Sequence, residues 1–240
     1  LLTRALDLVP EGDWETRYGL LLDRERVYHR QGDREAQTRD LASLRELADR
    51  SEDVGRRVVV ALRRAEQAAL THSTSAAVAA AEEARAFAQM LDDPRLEALA
   101  HLRYGQALAD SGAASVPALR HLLQALALVE TSDDRPLEAE ILYEMGTIMG
   151  REAYGEGRDL IRRALAIYRQ VGDRAGEGWA LNALTLTHGA FGEYEEAQAR
   201  GRESLAILRE VGDRRGEGYR LMAYGYSTMC LGAYIEAMDS

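Results

Sequence analysis

Two copies of one octapeptide, VGDRAGEG at 171–178 and VGDRRGEG at 211–218, put glycine and charge together in a way that could do chemistry. A glycine-rich turn opening a helix can cradle phosphate with its free backbone N–H groups. The context argues against that use. A dinucleotide loop follows a β-strand, whereas ALAIYRQ before Val171 and ESLAILRE before Val211 have helical periodicity. Asp173 and Glu177, like Asp213 and Glu217, place negative charge where an anion would sit. The same acids suit a joint between helices: aspartate caps orphan N–H groups, first-turn acids oppose the helix dipole favourably, and Arg169 and Arg209 complete the pattern at the preceding helix end. Gly176, Gly178, Gly216 and Gly218 each cost about 1 kcal/mol against alanine inside a helix. They point either to close approach of a neighbouring helix or to a hinge.

The remaining reactive side chains form no catalytic pattern. All 30 basic residues are arginine. Without lysine, this stretch has neither a Walker A phosphate ligand nor a Schiff-base amine. His29, His72, His101, His121 and His188 show no i, i+4 pair, so no metal site is expected. The carboxylates read as solvated faces and caps, and no serine stands in a nucleophile elbow. Cys230 is the one cysteine, which excludes an intrachain disulfide and suits a reducing, cytoplasmic setting. No cofactor is implied, and the chain is not expected to be an enzyme.

Composition sets the frame that positions these residues. The 240 residues are 46% hydrophobic and 29% charged, with four prolines and much Ala, Leu, Arg and Glu, which favours helix. A net charge of −10 argues against nucleic acid or an anionic membrane as partner. No apolar run approaches the roughly 20 residues that span a bilayer. Arginine in place of lysine suggests a GC-rich, bacterial genome. The start, LLTRALDLVP, falls inside an amphipathic pattern and reads as a piece of something longer.

Self-comparison yields a repeat. GEYEEA at 192–197 aligns with GAYIEA at 232–237, again forty residues apart, and Asp13, Asp53, Asp93, Asp134, Asp173 and Asp213 follow one another at 40, 40, 41, 39 and 40 residues. The same register aligns Glu25, Ala65, Gly105, Gly146, Thr185 and Gly225, then Leu44, Ala84, Ala125, Ala164 and Ser204, then Gln37, Ala77, Ala118, Gly157, Ala197 and Ala237. Most of these are small residues that let helices approach. Each unit carries two amphipathic helices: 14–50, 54–90, 94–130, 135–170, 174–210 and an incomplete 214–240, after a helical tail at 1–13. A lone hairpin has no core, so the units must stack in one solenoid domain.

The pattern resembles the tetratricopeptide repeat, whose unit of about 34 residues places glycine before the second helix, an aromatic at its start and small residues where the helices cross. Gly192 and Tyr194, Gly232 and Tyr234, Ala197 and Ala237, and Gly105, Gly146 and Gly225 carry that resemblance; Ala5 and Pro10 fit the end of a preceding unit. Departures are the longer period, His72 and Thr74 where glycine and tyrosine are usual, and Gly201 where a large apolar residue is usual. The long-period type is similar to the repeats of bacterial signal-transduction ATPases and maltose-regulator-like activators, and to spindle-orientation adaptors.

The resemblance implies an all-α, right-handed α-solenoid (superhelix) of stacked antiparallel helix hairpins. It also implies a concave face lined by the first helix of each unit. At its lining positions stand Glu140, Tyr143 and Thr147; Trp179, Asn182 and Leu186; and Tyr219, Met222, Tyr226 and Met229. The expected partner there is a protein or peptide segment. A small-molecule effector controlling an attached ATPase or transcription domain is the alternative, and packing on a further repeat would also use these side chains. The N-terminal units offer Arg26 and His29, Leu62 and Glu66, and Leu102 and Gln106. Arg63 and Arg103, equivalent in consecutive units, are either receivers of an acidic ligand or exposed charges.

Overall fold

A computed structural model describes residues 1–10, 12–112, 115–130, 132–150, 154–214, 216–221, 225 and 229. The described residues form helices joined by short turns. They are α1 (Leu2–Leu8), α2 (Trp14–Gln31), α3 (Arg34–Arg50), α4 (Val54–Leu70), α5 (Thr74–Ala88), α6 (Pro94–Asp110), α7 (Ser115–Glu130), α8 (Arg135–Met149), α9 (Tyr154–Val171), α10 (Arg174–Ala190) and α11 (Tyr194–Glu210). Residues 214 and 216–221 are again helical. The chain divides into two compact units, Leu1–Ser132 and Asp133–Ser240. In the first, α2 pairs with α3, α4 with α5 and α6 with α7, and α5 and α4 both lie on α6; in the second, α8 pairs with α9 and α10 with α11, and α10 rests on α9 and α8. Each unit is a tetratricopeptide-like stack of antiparallel helix hairpins.

The helix starts follow from capping chemistry. The backbone N–H groups of Thr16, Ala36, Arg56, Leu96, Leu137, Gly176 and Gly216 donate to Asp13, Asp33, Asp53, Asp93, Asp134, Asp173 and Asp213 at 2.9 to 3.2 Å. Each bond satisfies an amide that the helix leaves orphaned. The octapeptide adds a second layer. Arg169 Nε donates to Glu177 Oε1 at 2.8 Å, and forty residues on Arg209 Nε donates to Glu217 Oε1 at 2.7 Å. Burial works to raise the Glu177 carboxyl; hydrogen bonds from Arg169 and Arg174 outweigh it and hold the group below the usual carboxylate range. Gly172, Gly192 and Gly212 supply the left-handed φ, near +74°, that ends the preceding helices.

Packing explains the aligned rows. Leu44, Ala84, Ala125, Ala164 and Ser204 are fully buried at the crossings. In the second unit the contact closes to backbone: a Cβ on Gly146 would stand 2.8 Å from the Gly157 carbonyl oxygen, and one on Gly157 would stand 2.7 Å from that of Gly146. The helix-opening glycines divide. A methyl at Gly176 would collide with the Tyr168 ring, and those at Gly178 and Gly216 would lie 2.9 and 2.8 Å from Leu208 Cδ2, whereas Gly218 faces no described atom within 4 Å. Close approach therefore accounts for three of the four. Gly201 makes room for Arg220, whose guanidinium occupies the missing side chain's volume, 1% exposed, with Nε donating to the Gly201 carbonyl at 2.8 Å.

Candidate functional site

In the second unit α8 and α10, which carry the positions expected to line the groove, touch one another. Spacings of three and four residues line Glu140, Tyr143 and Thr147 along one face of α8, and Trp179, Asn182 and Leu186 along one face of α10. All three α8 residues are half-buried. The Thr147 hydroxyl turns back to its own helix, donating to the Glu144 carbonyl at 2.9 Å. Burial, with a smaller push from Glu144, raises the Tyr143 phenol, so its hydroxyl stays protonated as a donor.

The α10 residues behave differently from one another. Trp179 is half-buried and its Nε1–H donates to Asp213 Oδ2 at 2.8 Å, while Asp213 Oδ1 caps the following helix. Its ring meets that of Tyr219 at 5.9 Å between centroids, tilted by 59°. Trp179 is thus a tie to the next joint. Leu186, Tyr219 and Met229 are exposed large apolar groups. Met222 and Tyr226 lie outside the described residues.

Asn182 stands between them and is only 6% exposed, yet its Oδ1 is buried without a hydrogen-bond partner among the described residues. A buried amide left unbonded costs about 1–3 kcal/mol. Nine in ten buried polar groups are bonded, so an exception of this kind calls for a reason. Sequence reasoning could name Asn182 only as an inner-face position; its unbonded state depends on what its neighbours in space fail to offer.

The first unit presents another chemistry at the same helix positions. Arg103 is engaged with Gln106 at 2.8 Å. Arg26, His29 and Arg63 line a common cavity. The unit also holds a histidine pair that spacing along the chain hides: His101 on α6 and His121 on α7 stack at 5.2 Å, with Nδ1 atoms 3.0 Å apart and Tyr104 edge-on to His121. Burial, then His121 and Arg85, lowers the His101 pKa to about 4. Among the described residues no group of three or more His, Cys, Asp or Glu side chains is placed to hold a metal ion, and no helix is long and apolar enough to cross a membrane.

Comparison with known proteins agrees with the helix-hairpin fold. The tetratricopeptide repeat family model matches residues 149–210. No curated protein matches the chain. Among solved structures, the signal transduction ATPase with numerous domains from Pyrococcus horikoshii, which has a tetratricopeptide repeat sensor, is similar over 99% of this chain at 14% identity and a TM-score of 0.66. The chain spans 40% of that ATPase. A Rap protein complexed with competence and sporulation factor is similar over 92% of this chain and 68% of its own, at 16% identity and a TM-score of 0.73. Aspartyl phosphate phosphatase F from Bacillus subtilis is similar over 92% of this chain and 61% of its own, at 15% identity and a TM-score of 0.68.

Proposed function

Residues 149–210 are tetratricopeptide repeats and the rest of the chain shares their hairpin fold; from that premise we propose that this is a non-catalytic binding module of a larger, bacterial, cytoplasmic signalling or regulatory protein. It holds an extended protein segment on the inner face of α8 and α10. The observation that supports this reading is the buried Asn182 amide oxygen, without a hydrogen-bond partner among the described residues, on the helix face that also carries half-buried Trp179 and exposed Leu186. An extended peptide carries unpaired backbone N–H and C=O groups that match an amide side chain. Leu186, Tyr219 and Met229 offer the adaptable apolar contact that such segments bury.

A random heptapeptide library displayed on phage, selected on the purified chain, tests this. Peptides enriched on the wild type bind the Asn182→Leu and Leu186→Ala variants at least about tenfold more weakly, a loss equal to one well-placed polar contact. Undiminished binding to both variants contradicts the reading.

A second reading, a small-molecule sensing domain that controls an attached ATPase or transcription activator, draws support from likeness to the repeat-sensor ATPase. It differs in one measurable respect. The sensor would return no consensus from the peptide library and would instead show a ligand-dependent change in radius of gyration.

A further inference from the structure

In the first unit, Arg26, His29 and Arg30 of α2 and Arg63 of α4 line a cavity of about 330 Å³. That volume is at the lower end of the range that holds small ligands, about 300–1,000 Å³. Three guanidiniums border one space in a chain of net charge −10. Their carboxylate partners are few. Arg26 reaches Asp23 at 3.2 Å on the open surface, Arg63 reaches Glu66 at 3.5 Å, and Arg30 has no carboxylate in ion-pair range among the described residues. The Arg26 pair is exposed and the Arg63 pair only partly buried, and pairs so open to solvent contribute little, so an incoming anion displaces them cheaply.

The wall behind the cavity is the second observation. At the crossing where the other described hairpins place Ala65 and Ala77, Gly105 and Ala118, Gly146 and Gly157, or Thr185 and Ala197, the first hairpin buries Glu25 and Gln37 completely. Gln37 Nε2 donates to Glu25 Oε1 at 2.7 Å, and Gln37 Oε1 accepts from Arg34 Nη1 at 2.8 Å. Both ends of the amide are therefore assigned by their partners, since a carboxylate only accepts and a guanidinium only donates. The second hydrogen of Nε2 faces His29 Nδ1 at 3.3 Å. His29 Nδ1 then accepts, and in the neutral ring the proton sits on Nε2, which lies 3.8 Å from Glu66 Oε1. A buried carboxylate is a costly way to fill a helix crossing. Here it holds an imidazole N–H as a donor at a cavity edged with arginine.

We propose that this cavity is a binding site for the phosphate group of a small molecule, with Arg26, Arg30, Arg63 and the His29 Nε2–H as its donors and the Glu25–Gln37 pair as positioning residues. Three guanidinium forks and a ring N–H exceed the roughly four hydrogen bonds a carboxylate accepts, and they suit the three terminal oxygens of a phosphate. Glu66 competes for Arg63 and His29 and sets the affinity from within.

Calorimetric titration of the full chain with inorganic pyrophosphate is the test. Saturable binding is expected, weakened at least about tenfold in Arg30→Gln and in Arg63→Gln and tightened several-fold in Glu66→Gln, while Arg103→Gln leaves it unchanged. Nitrogen NMR of the free chain is expected to show His29 in the Nε2–H tautomer, and Gln37→Ala to shift it. Absence of saturable binding at millimolar pyrophosphate overturns the site. So does an equal loss in Arg103→Gln, which would mean generic charge attraction. Binding of a short aspartate peptide in its place overturns the phosphate assignment, and a His29 Nδ1–H tautomer overturns the positioning role.

Discussion

The first and fourth hairpins occupy the same place in the repeat and solve the same crossing by opposite means. At one, Glu25 and Gln37 are buried as a hydrogen-bonded polar pair; at the other, Gly146 and Gly157 bring two backbones into contact. The first unit adds a second polar pair in His101 and His121, while the second uses glycine again at Gly176, Gly178 and Gly201, where the side chains of Tyr168, Leu208 and Arg220 take the space. The contrast teaches that the repeat demands only that the crossing be filled, by small residues or by a polar pair. What fills it decides how the unit responds to pH, to truncation and to added volume.

The largest difference is expected in acid. The His101 pKa is lowered to about 4 from an ordinary 6.5, so the folded state resists the proton that the unfolded chain accepts. Stability is full above pH 6.5 and falls as pH drops towards 4, by up to about 3 kcal/mol for this group. Urea denaturation of the wild type and of His101→Gln across that window checks it: the variant loses that part of the slope. An equal slope in both would remove the pair from the account. Next comes Gln37→Leu, which leaves the Glu25 carboxylate buried with neither oxygen bonded and lowers stability by about 2–3 kcal/mol. In the second unit the matching perturbation is volume. Gly176→Ala drives a methyl into the Tyr168 ring and costs about 1–3 kcal/mol, against a gain of under about 1 kcal/mol at Gly218, where no described atom stands in the way. Equal effects at the two glycines in thermal melts would contradict the close-approach explanation.

Much of this architecture was legible from residue types and spacing. Aspartates forty residues apart mark helix starts because capping is local, depending on a side chain and an amide three positions on. The small-residue rows were legible because a helix crossing recurs with the repeat. Distant partners were not. Gly201 read as a departure until Arg220, nineteen residues later, was seen to occupy its volume. The His101–His121 contact spans two helices and leaves no i, i+4 trace. The bond from the Trp179 indole N–H to the Asp213 cap likewise joins residues far apart in the chain. Replacing Trp179 would mix binding with stability, and Asn182 is the cleaner probe.

The smallest stability effect leads to the most direct test. Asp173→Ala removes one cap and costs about 1 kcal/mol. Asn182→Leu removes an unbonded amide and leaves stability equal or higher. Thermal melts and peptide affinity, measured side by side on these two variants with one library-selected heptapeptide, give a crossed result if the joints hold the fold and the inner face holds the partner. Asp173→Ala then melts earlier and binds normally, while Asn182→Leu melts at or above the wild type and binds at least about tenfold more weakly. If affinity falls in Asp173→Ala at unchanged melting temperature, or survives in Asn182→Leu, the division of labour between joint and face is wrong.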